Sequence, residues 1–183
     1  MRVSILSSSR DDIDDIYKEA ARQTAKYLAD QGVELNWGSG KFGIMGICYE
    51  EFAKKGNKIH GYTSSKYAFE IEDLPKAEHE IFDDTFDLKK NLFNDGDIIV
   101  CLPGGTGTIS EFFAYLEEIR SNDRNQKLIV CNYYEWFTKA DEYIQYLVEH
   151  NFNNDSLFNY FTLVNTFDEF VEAFEDVKKQ LNE

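Results

Sequence analysis

The sequence predicts an α/β fold of the Rossmann-like, doubly wound type, with a mostly parallel sheet and helices on both faces. Two observations predict it: short β-branched runs alternate with amphipathic runs of helical period, and glycine-rich turns follow several of the short runs. Strands that are joined through helices run parallel, because each crossover returns the chain to the same end of the sheet. No linker or low-complexity stretch divides the 183 residues, so we predict a single domain over residues 1–183.

The elements follow one another in alternation. Six apolar runs predict strands: residues 2–8, 33–37, 58–62, 80–82, 97–102 and 127–131. The helices between and after them are predicted from their apolar spacing and from residues that cap or end them: a helix from Asp11 to Gly32, one from the 38–46 turn to about Lys55, one over 85–94, one after Thr108, one over 136–147, and one that the capping box Thr166–Glu169 begins.

Charge and composition exclude several classes of partner. A formal net charge of -15 argues against a nucleic-acid backbone or an anionic membrane surface as the main partner. No apolar run approaches the roughly 20 residues that cross a bilayer, and the strand-like start predicts no secretory leader. The three cysteines are far apart and the histidines are isolated, so we predict no metal, no cofactor and a reducing, cytoplasmic location.

The segment from Asp97 to Glu111 carries the strongest functional signal. A β-branched strand ends at Pro103, and the glycines that follow bring bare backbone amides to the start of a helix. Unpaired N–H groups and the positive end of the helix dipole favour anions. We therefore predict a phosphate cradle at this turn, formed by Gly104, Gly105, Thr106, Gly107 and Thr108.

Glu111 has two interpretations. It can complement the dipole in the first turn of the helix, or it can act on the ligand that the cradle holds. A carboxylate beside a phosphate is repelled unless a cation forms between them, and cleavage at a ribose C1′ forms such a cation in an oxocarbenium-like transition state. The same carboxylate can orient or deprotonate the attacking water. We predict that Glu111 is catalytic.

A second glycine-rich turn, Gly38-x-Gly40-x-x-Gly43, follows the second predicted strand. Its spacing matches the dinucleotide fingerprint, but that fingerprint follows the first strand and needs an acidic residue at the end of the next one. The alternative interpretation is a tight turn that allows close packing of helix on sheet. Since the carboxyl ends of parallel strands share an edge, we expect this turn, Ser7–Ser9 and the cradle to converge on one nucleotide pocket.

These segments resemble the LOG family, the cytokinin-riboside 5′-monophosphate phosphoribohydrolases often labelled "possible lysine decarboxylase". Its signature Pro-Gly-Gly-x-Gly-Thr-x-x-Glu is met from Pro103 to Glu111, and its Gly-Gly-Gly-x-x-Gly-Leu-Met-Gly element corresponds to residues 38–46. Ser7-Ser8-Ser9 is similar to the family's Cys-Gly-Ser-Ser turn, and residues 132–134 are similar to its Asn-x-x-x-Tyr-Tyr segment, though shorter. The likeness therefore runs over most of the chain.

The resemblance implies a homodimer that binds a nucleoside 5′-monophosphate such as AMP and hydrolyses it to free base and ribose 5-phosphate. Outside the cradle, the candidate binding residues are Ser8, Ser9, Gly40, Gly43 and Met45. No residue pattern suggests a lysine that carries pyridoxal phosphate, so the decarboxylase label finds no support in the sequence.

One position departs from the family. The family has an Arg-Lys pair on the helix before the glycine-loop strand, and its arginine works with the glutamate. An ungapped alignment places Leu88 and Lys89 there, and a shift by one residue offers Lys89 and Lys90. Lysine supplies charge without the planar fork of arginine. Lys89 and Lys90 are thus either the catalytic cations or solvated surface residues.

Three functions remain open. The leading prediction is a hydrolase that cleaves the N-glycosidic bond of a purine or cytokinin nucleoside 5′-monophosphate. The missing arginine motivates an alternative, a non-catalytic nucleotide sensor of the same fold. A nucleoside deoxyribosyltransferase would use similar glutamate chemistry on an α/β scaffold, but it would not need the 5′-phosphate that the cradle is predicted to bind.

Overall fold

The computed structural model describes residues 1–122 and 124–182, and its strands form one parallel sheet of seven in the order β4-β3-β2-β1-β5-β6-β7. The strands are β1 (Arg2–Leu6), β2 (Glu34–Trp37), β3 (Ile59–Ser64), β4 (Glu78–Phe82), β5 (Ile98–Cys101), β6 (Lys127–Cys131) and β7 (Phe161–Val164). Every pair of neighbours is parallel. The prediction of a doubly wound, parallel α/β fold is confirmed.

Six helices connect or follow the strands within the described ranges: α1 (Asp15–Asp30), α2 (Gly43–Lys55), α3 (Thr85–Asn94), α4 (Thr106–Asn122), α5 (Thr138–Glu149) and α6 (Phe167–Asn182). Helices α1, α2 and α6 bury apolar side chains on one face of the sheet, and α3, α4 and α5 do so on the other. The strands are therefore covered on both sides, which is why they read as continuous apolar runs rather than alternating ones.

The strand order switches sides at the neighbouring pair β1 and β5. The chain first builds β2, β3 and β4 to one side of β1 and then returns to place β5, β6 and β7 on the other side. At such a switch point the connections after the two central strands diverge, which leaves a crevice beyond their carboxyl ends. The loops that follow β1 and β5 border this crevice.

Some element boundaries differ from the predictions. Strand β7 was not predicted, because Phe161–Val164 is only four residues long and shows no distinctive pattern. Asp11 was expected to cap α1, but α1 begins at Asp15 and the Asp11 carboxylate instead accepts the Gly43 N–H at 2.7 Å. The expected capping residue Thr166 does accept a hydrogen bond, from the Glu169 N–H at 3.2 Å.

Candidate functional site

Three loops meet at the carboxyl edge of the sheet and are joined by main-chain hydrogen bonds. The Ser8 N–H donates to the Pro103 carbonyl at 3.1 Å, which links the loop after β1 to the loop after β5. The Met45 N–H donates to the Ser8 carbonyl at 3.0 Å, which links α2 to the same loop. The three glycine- or serine-rich segments therefore lie together, held by backbone groups whose positions do not depend on side-chain rotamers.

A cavity of about 560 Å³ opens between these loops, helix α3 and the segment that follows β3. Ten of the residues predicted to form the site line it: Ser8, Ser9, Gly40, Met45, Lys89, Gly105, Thr106, Gly107, Thr108 and Glu111. Leu6, Tyr62, Leu88 and Leu92 contribute apolar surface to its lining. Polar side chains, among them the buried Ser8 and Thr108, line the same cavity.

Three predicted residues do not line the cavity. Lys90 is exposed on α3. Gly43 has a φ of +58°, and a Cβ there would lie 2.6 Å from the Arg10 carbonyl oxygen. Gly104 accepts a hydrogen bond from the Trp136 indole at 2.9 Å, and a Cβ there would collide with Thr108. The two glycines thus have packing reasons within the chain.

The cradle is the N-terminus of α4. The helix begins at Thr106, and the Ile109 N–H is already bonded to the Gly105 carbonyl at 3.1 Å. Amides ahead of Ile109 have no helical acceptor, which is the general condition of a helix start. A Cβ on Gly105 or Gly107 would meet nothing within 4 Å in the described part of the chain, and residues 105–107 are exposed. An anion can therefore approach the backbone directly.

Glu111 lies one helical turn beyond the cradle, partly buried at the cavity wall. Burial disfavours the ionised form and raises the pKa of this carboxyl to about 7, against a smaller lowering by the Lys89 ammonium. A carboxyl group with a pKa near neutrality can both release and accept a proton at cellular pH. That property suits a general base.

Lys89 is the cation beside Glu111. Its Nζ donates to the Ser110 hydroxyl at 3.1 Å, and its carbonyl accepts the Tyr115 hydroxyl at 2.9 Å. Leu88, at the position of the family's arginine, packs against the core under α3 and also lines the cavity. The structure therefore places one lysine of the predicted pair at the cavity, and an apolar side chain beside it.

Sequence reasoning did not single out several residues that line the cavity. Arg10 follows the serine turn, with its guanidinium bonded to the Asp12 carboxylate at 2.5 Å. Thr63 and Ser64 line it because β3 extends two residues past its predicted end. Tyr67 and Glu70 come from the segment Ser65–Asp73, which winds in 3₁₀ turns. A polar end of a strand at the ligand-binding edge was the available signal for Thr63 and Ser64.

Ser39 is held in an unusual backbone conformation beside the cavity. Its φ is 53°, in the left-handed region that side chains avoid. The His79 Nε2 lies 3.1 Å from the Leu74 carbonyl, which can only accept; in the neutral imidazole, Nδ1 therefore accepts the Ser39 hydroxyl at 3.0 Å. The contact stabilises the turn of the second glycine segment beside the cavity.

Across residues 1–122 and 124–182, no group of three or more His, Cys, Asp or Glu side chains is arranged to hold a metal ion. No helix in those same ranges is long and apolar enough to cross a membrane.

The chain is similar to one protein family and to curated members of it. The family described as possible lysine decarboxylase matches residues 45–174, more than half of the chain. A protein of Oryza sativa subsp. japonica, "Probable cytokinin riboside 5′-monophosphate phosphoribohydrolase LOGL2", is 23% identical over 180 residues, which cover 98% of this chain and 74% of that protein. The cytokinin riboside 5′-monophosphate phosphoribohydrolase of Rhodococcoides fascians is 23% identical over 142 residues, which cover 74% and 70% of the two chains.

Solved structures share the fold at lower identity. The molybdenum cofactor binding protein of Rippkaea orientalis superposes with a TM-score of 0.69 at 13% identity, covering 96% of each chain. The Moco carrier protein of Chlamydomonas reinhardtii gives a TM-score of 0.68 at 12% identity and covers 98% of each chain. At these identities the likeness concerns the fold alone.

Proposed function

The chain belongs to the family described as possible lysine decarboxylase, the LOG family, and we propose on that premise that it hydrolyses the N-glycosidic bond of a purine nucleoside 5′-monophosphate. The observation that carries this proposal is the position of Glu111, whose carboxyl lines the same cavity as the exposed amides of residues 105–107. The products are the free base and ribose 5-phosphate.

The phosphate binds at the start of α4. Backbone N–H groups that have no helical acceptor donate to its oxygens, and the helix dipole favours its charge. This anchor explains how a protein with a net charge of -15 holds an anion, because the donors are local and fixed rather than part of a positive surface. Lys89 adds a cation at the cavity wall.

Glu111 acts at the anomeric carbon. Its carboxylate stabilises the positive charge that develops on the ribose as the C1′–N bond lengthens, and the bond's electron pair leaves with the base nitrogen. Water then adds to C1′ and gives its proton to the carboxylate. Because burial holds the pKa of Glu111 at about 7, the group can accept this proton and pass it to the departing base.

A direct assay tests the proposal. Purified protein is incubated with AMP or N6-isopentenyl-AMP, and the released base and ribose 5-phosphate are quantified by chromatography. The substitution Glu111→Gln is expected to lower kcat/KM about 10²- to 10⁴-fold, which is the rate contribution of one general acid–base group. Glu118→Gln is the matched control, since Glu118 lies on the same helix but is exposed and bonded to Asn122. No base release from a panel of monophosphates, with Glu111→Gln equal to wild type, would refute the proposal.

Binding without turnover is a second candidate, favoured by one observation. Leu88 lines the cavity where the family has its arginine, so the phosphate and the Glu111 carboxylate have one cation beside them rather than two. A sensor predicts a rise in Tm with nucleotide concentration and no released base. Adding an acceptor base to the same assay separates a glycosyltransferase, which would form a new nucleoside and would not need the 5′-phosphate.

A further inference from the structure

We propose that Tyr67 and Glu70 form the base-recognition wall of this cavity and select a guanine-type nucleoside 5′-monophosphate. The inference deepens the proposed function, because it names the base at the far end of the same site. Both residues lie in the segment Ser65–Asp73 and line the cavity. Neither belongs to the glycine segments that the family resemblance covers.

The order of the strands separates this wall from the cradle by about the length of a nucleoside monophosphate. The cradle follows β5, the segment with Tyr67 and Glu70 follows β3, and β1 and β2 lie between them. Three inter-strand steps amount to about 14 Å. A nucleoside monophosphate with hydrogen bonds at both ends bridges this separation. With phosphate on α4 and ribose beside Glu111, the base extends over the ends of β2 and β3.

The Glu70 carboxylate is available for a ligand. The charge of Glu70 acts on Lys41 at longer range, but the Lys41 Nζ is bonded to the Asp73 carboxylate at 2.5 Å. No hydrogen bond to Glu70 occurs among the described residues, although its side chain is partly buried at the cavity. An acceptor-only group at a cavity wall binds a partner that brings N–H donors.

Tyr67 supplies a flat surface beside that acceptor. Tyr67 is 50% exposed although it lines the cavity, and the Lys66 ammonium lies 5.2 Å from the centre of its ring. Nucleobases stack on aromatic rings with little dependence on which base is present. Tyr67 therefore holds the plane of the base, and Glu70 reads its edge.

The chemistry of the carboxylate selects among purines. Guanine presents N1–H and the 2-amino group side by side, and a carboxylate accepts both in a bidentate pair. Hypoxanthine offers N1–H alone. Adenine presents an amino donor next to a ring nitrogen that repels the carboxylate, and N6-alkylation replaces one of its hydrogens with bulk. The wall thus favours GMP over IMP, AMP and N6-isopentenyl-AMP.

Binding measurements test the wall independently of turnover. In the Glu111→Gln background, calorimetry is expected to give GMP an affinity about tenfold to hundredfold above those of IMP and AMP, the discrimination of one bidentate pair. Adding Glu70→Gln is expected to abolish the preference, because an amide offers one acceptor where the carboxylate offers two. Glu72→Gln is the matched control, since Glu72 is exposed in the same segment and does not line the cavity.

The outcomes separate the two proposals. A Glu70-dependent preference for GMP, together with no base released from any monophosphate by the protein that retains Glu111, would support the wall and refute hydrolysis. Base released from AMP and GMP at equal kcat/KM, or a preference that Glu70→Gln leaves unchanged while Tm is also unchanged, would overturn the wall and leave hydrolysis standing. Tighter binding of AMP than of GMP would overturn the guanine assignment in the same way.

Discussion

The two glycine-rich turns of this protein look alike in sequence but serve different ends. In the segment that opens α2, added methyl groups would collide with the chain itself: on Gly43 with the Arg10 backbone, and on Gly46 with the Lys41 carbonyl. In the turn before α4, Gly105 and Gly107 have open space around the Cβ position, and neither has a positive φ. Packing requires glycine at positions 43 and 46, and also at position 104, whereas nothing within the described chain requires it at positions 105 and 107.

This difference indicates where the molecule is built for stability and where for a ligand. A glycine without an internal reason leaves backbone amides bare, which lets another molecule approach them. The same region holds Glu111, whose burial works against its charge. We therefore expect substitution of Gly43 or Gly46 to lower stability, and substitution of Gly105 or Gly107 to spare stability while it weakens binding.

Gly43→Ala should show the largest effect. The left-handed φ of +58° and the approach of the Arg10 carbonyl oxygen to 2.6 Å both oppose a methyl group. We expect the free energy of unfolding to fall by about 3 kcal/mol or more, since backbone on both sides leaves little room to relax. Urea denaturation followed by circular dichroism measures it. A loss no greater than that of Gly105→Ala would erase the contrast between the turns.

Glu111→Gln should stabilise the folded protein at alkaline pH. The pKa of Glu111 is raised to about 7 in the folded state, so the native protein binds more protons than the unfolded chain, and its stability declines as pH rises from about 4.5 through 7. A neutral glutamine removes that penalty. The expected gain is about 3 kcal/mol at pH 8 and close to zero at pH 4.5.

Chemical denaturation at the two pH values measures this gain. Glu118→Gln, on the exposed face of the same helix, serves as the control and should show no such dependence. Equal stability of Glu111→Gln and wild type at pH 8 would mean that the carboxyl is not held against its charge.

Gly105→Ala should affect binding and not folding. The open space at its Cβ position predicts a change of less than about 0.5 kcal/mol in unfolding free energy. A methyl group at the cradle should nevertheless hinder the approach of a phosphate, and we expect about tenfold weaker binding of AMP, equivalent to about 1.4 kcal/mol. Calorimetry with AMP and with inorganic phosphate tests this. Unchanged affinity for both would place the anion elsewhere.

Trp136→Phe should give the smallest effect. The indole N–H donates to the Gly104 carbonyl at 2.9 Å and so connects the loop after β6 to the cradle. Losing one such hydrogen bond is expected to weaken the binding free energy of the substrate by about 1 kcal/mol, so KM should rise about fivefold with kcat unchanged. Steady-state kinetics provide the readout, with the exposed Tyr134→Phe as control. A fall in kcat at constant KM would contradict a positioning role.

Much of the fold was predictable because it depends on local pattern. Apolar runs, glycine stops and the Thr166 cap identified the alternation of strands and helices, and the parallel sheet follows from that alternation. Strand β7 was not predicted because its four residues carry too little periodicity. Its place at the sheet edge is set by its pairing with β6. Asp11 was misassigned because its partner, the Gly43 N–H, is distant in sequence.

The candidate site divides in the same way. The sequence by itself determined the cradle and Glu111, because a strand end, bare amides and a helix start are encoded within fifteen consecutive residues. Only the tertiary structure decided which glycines serve packing, that burial raises the pKa of Glu111, and that Tyr67 and Glu70 share its cavity. Those properties depend on which distant segments the sheet brings together, and neither spacing nor composition records that.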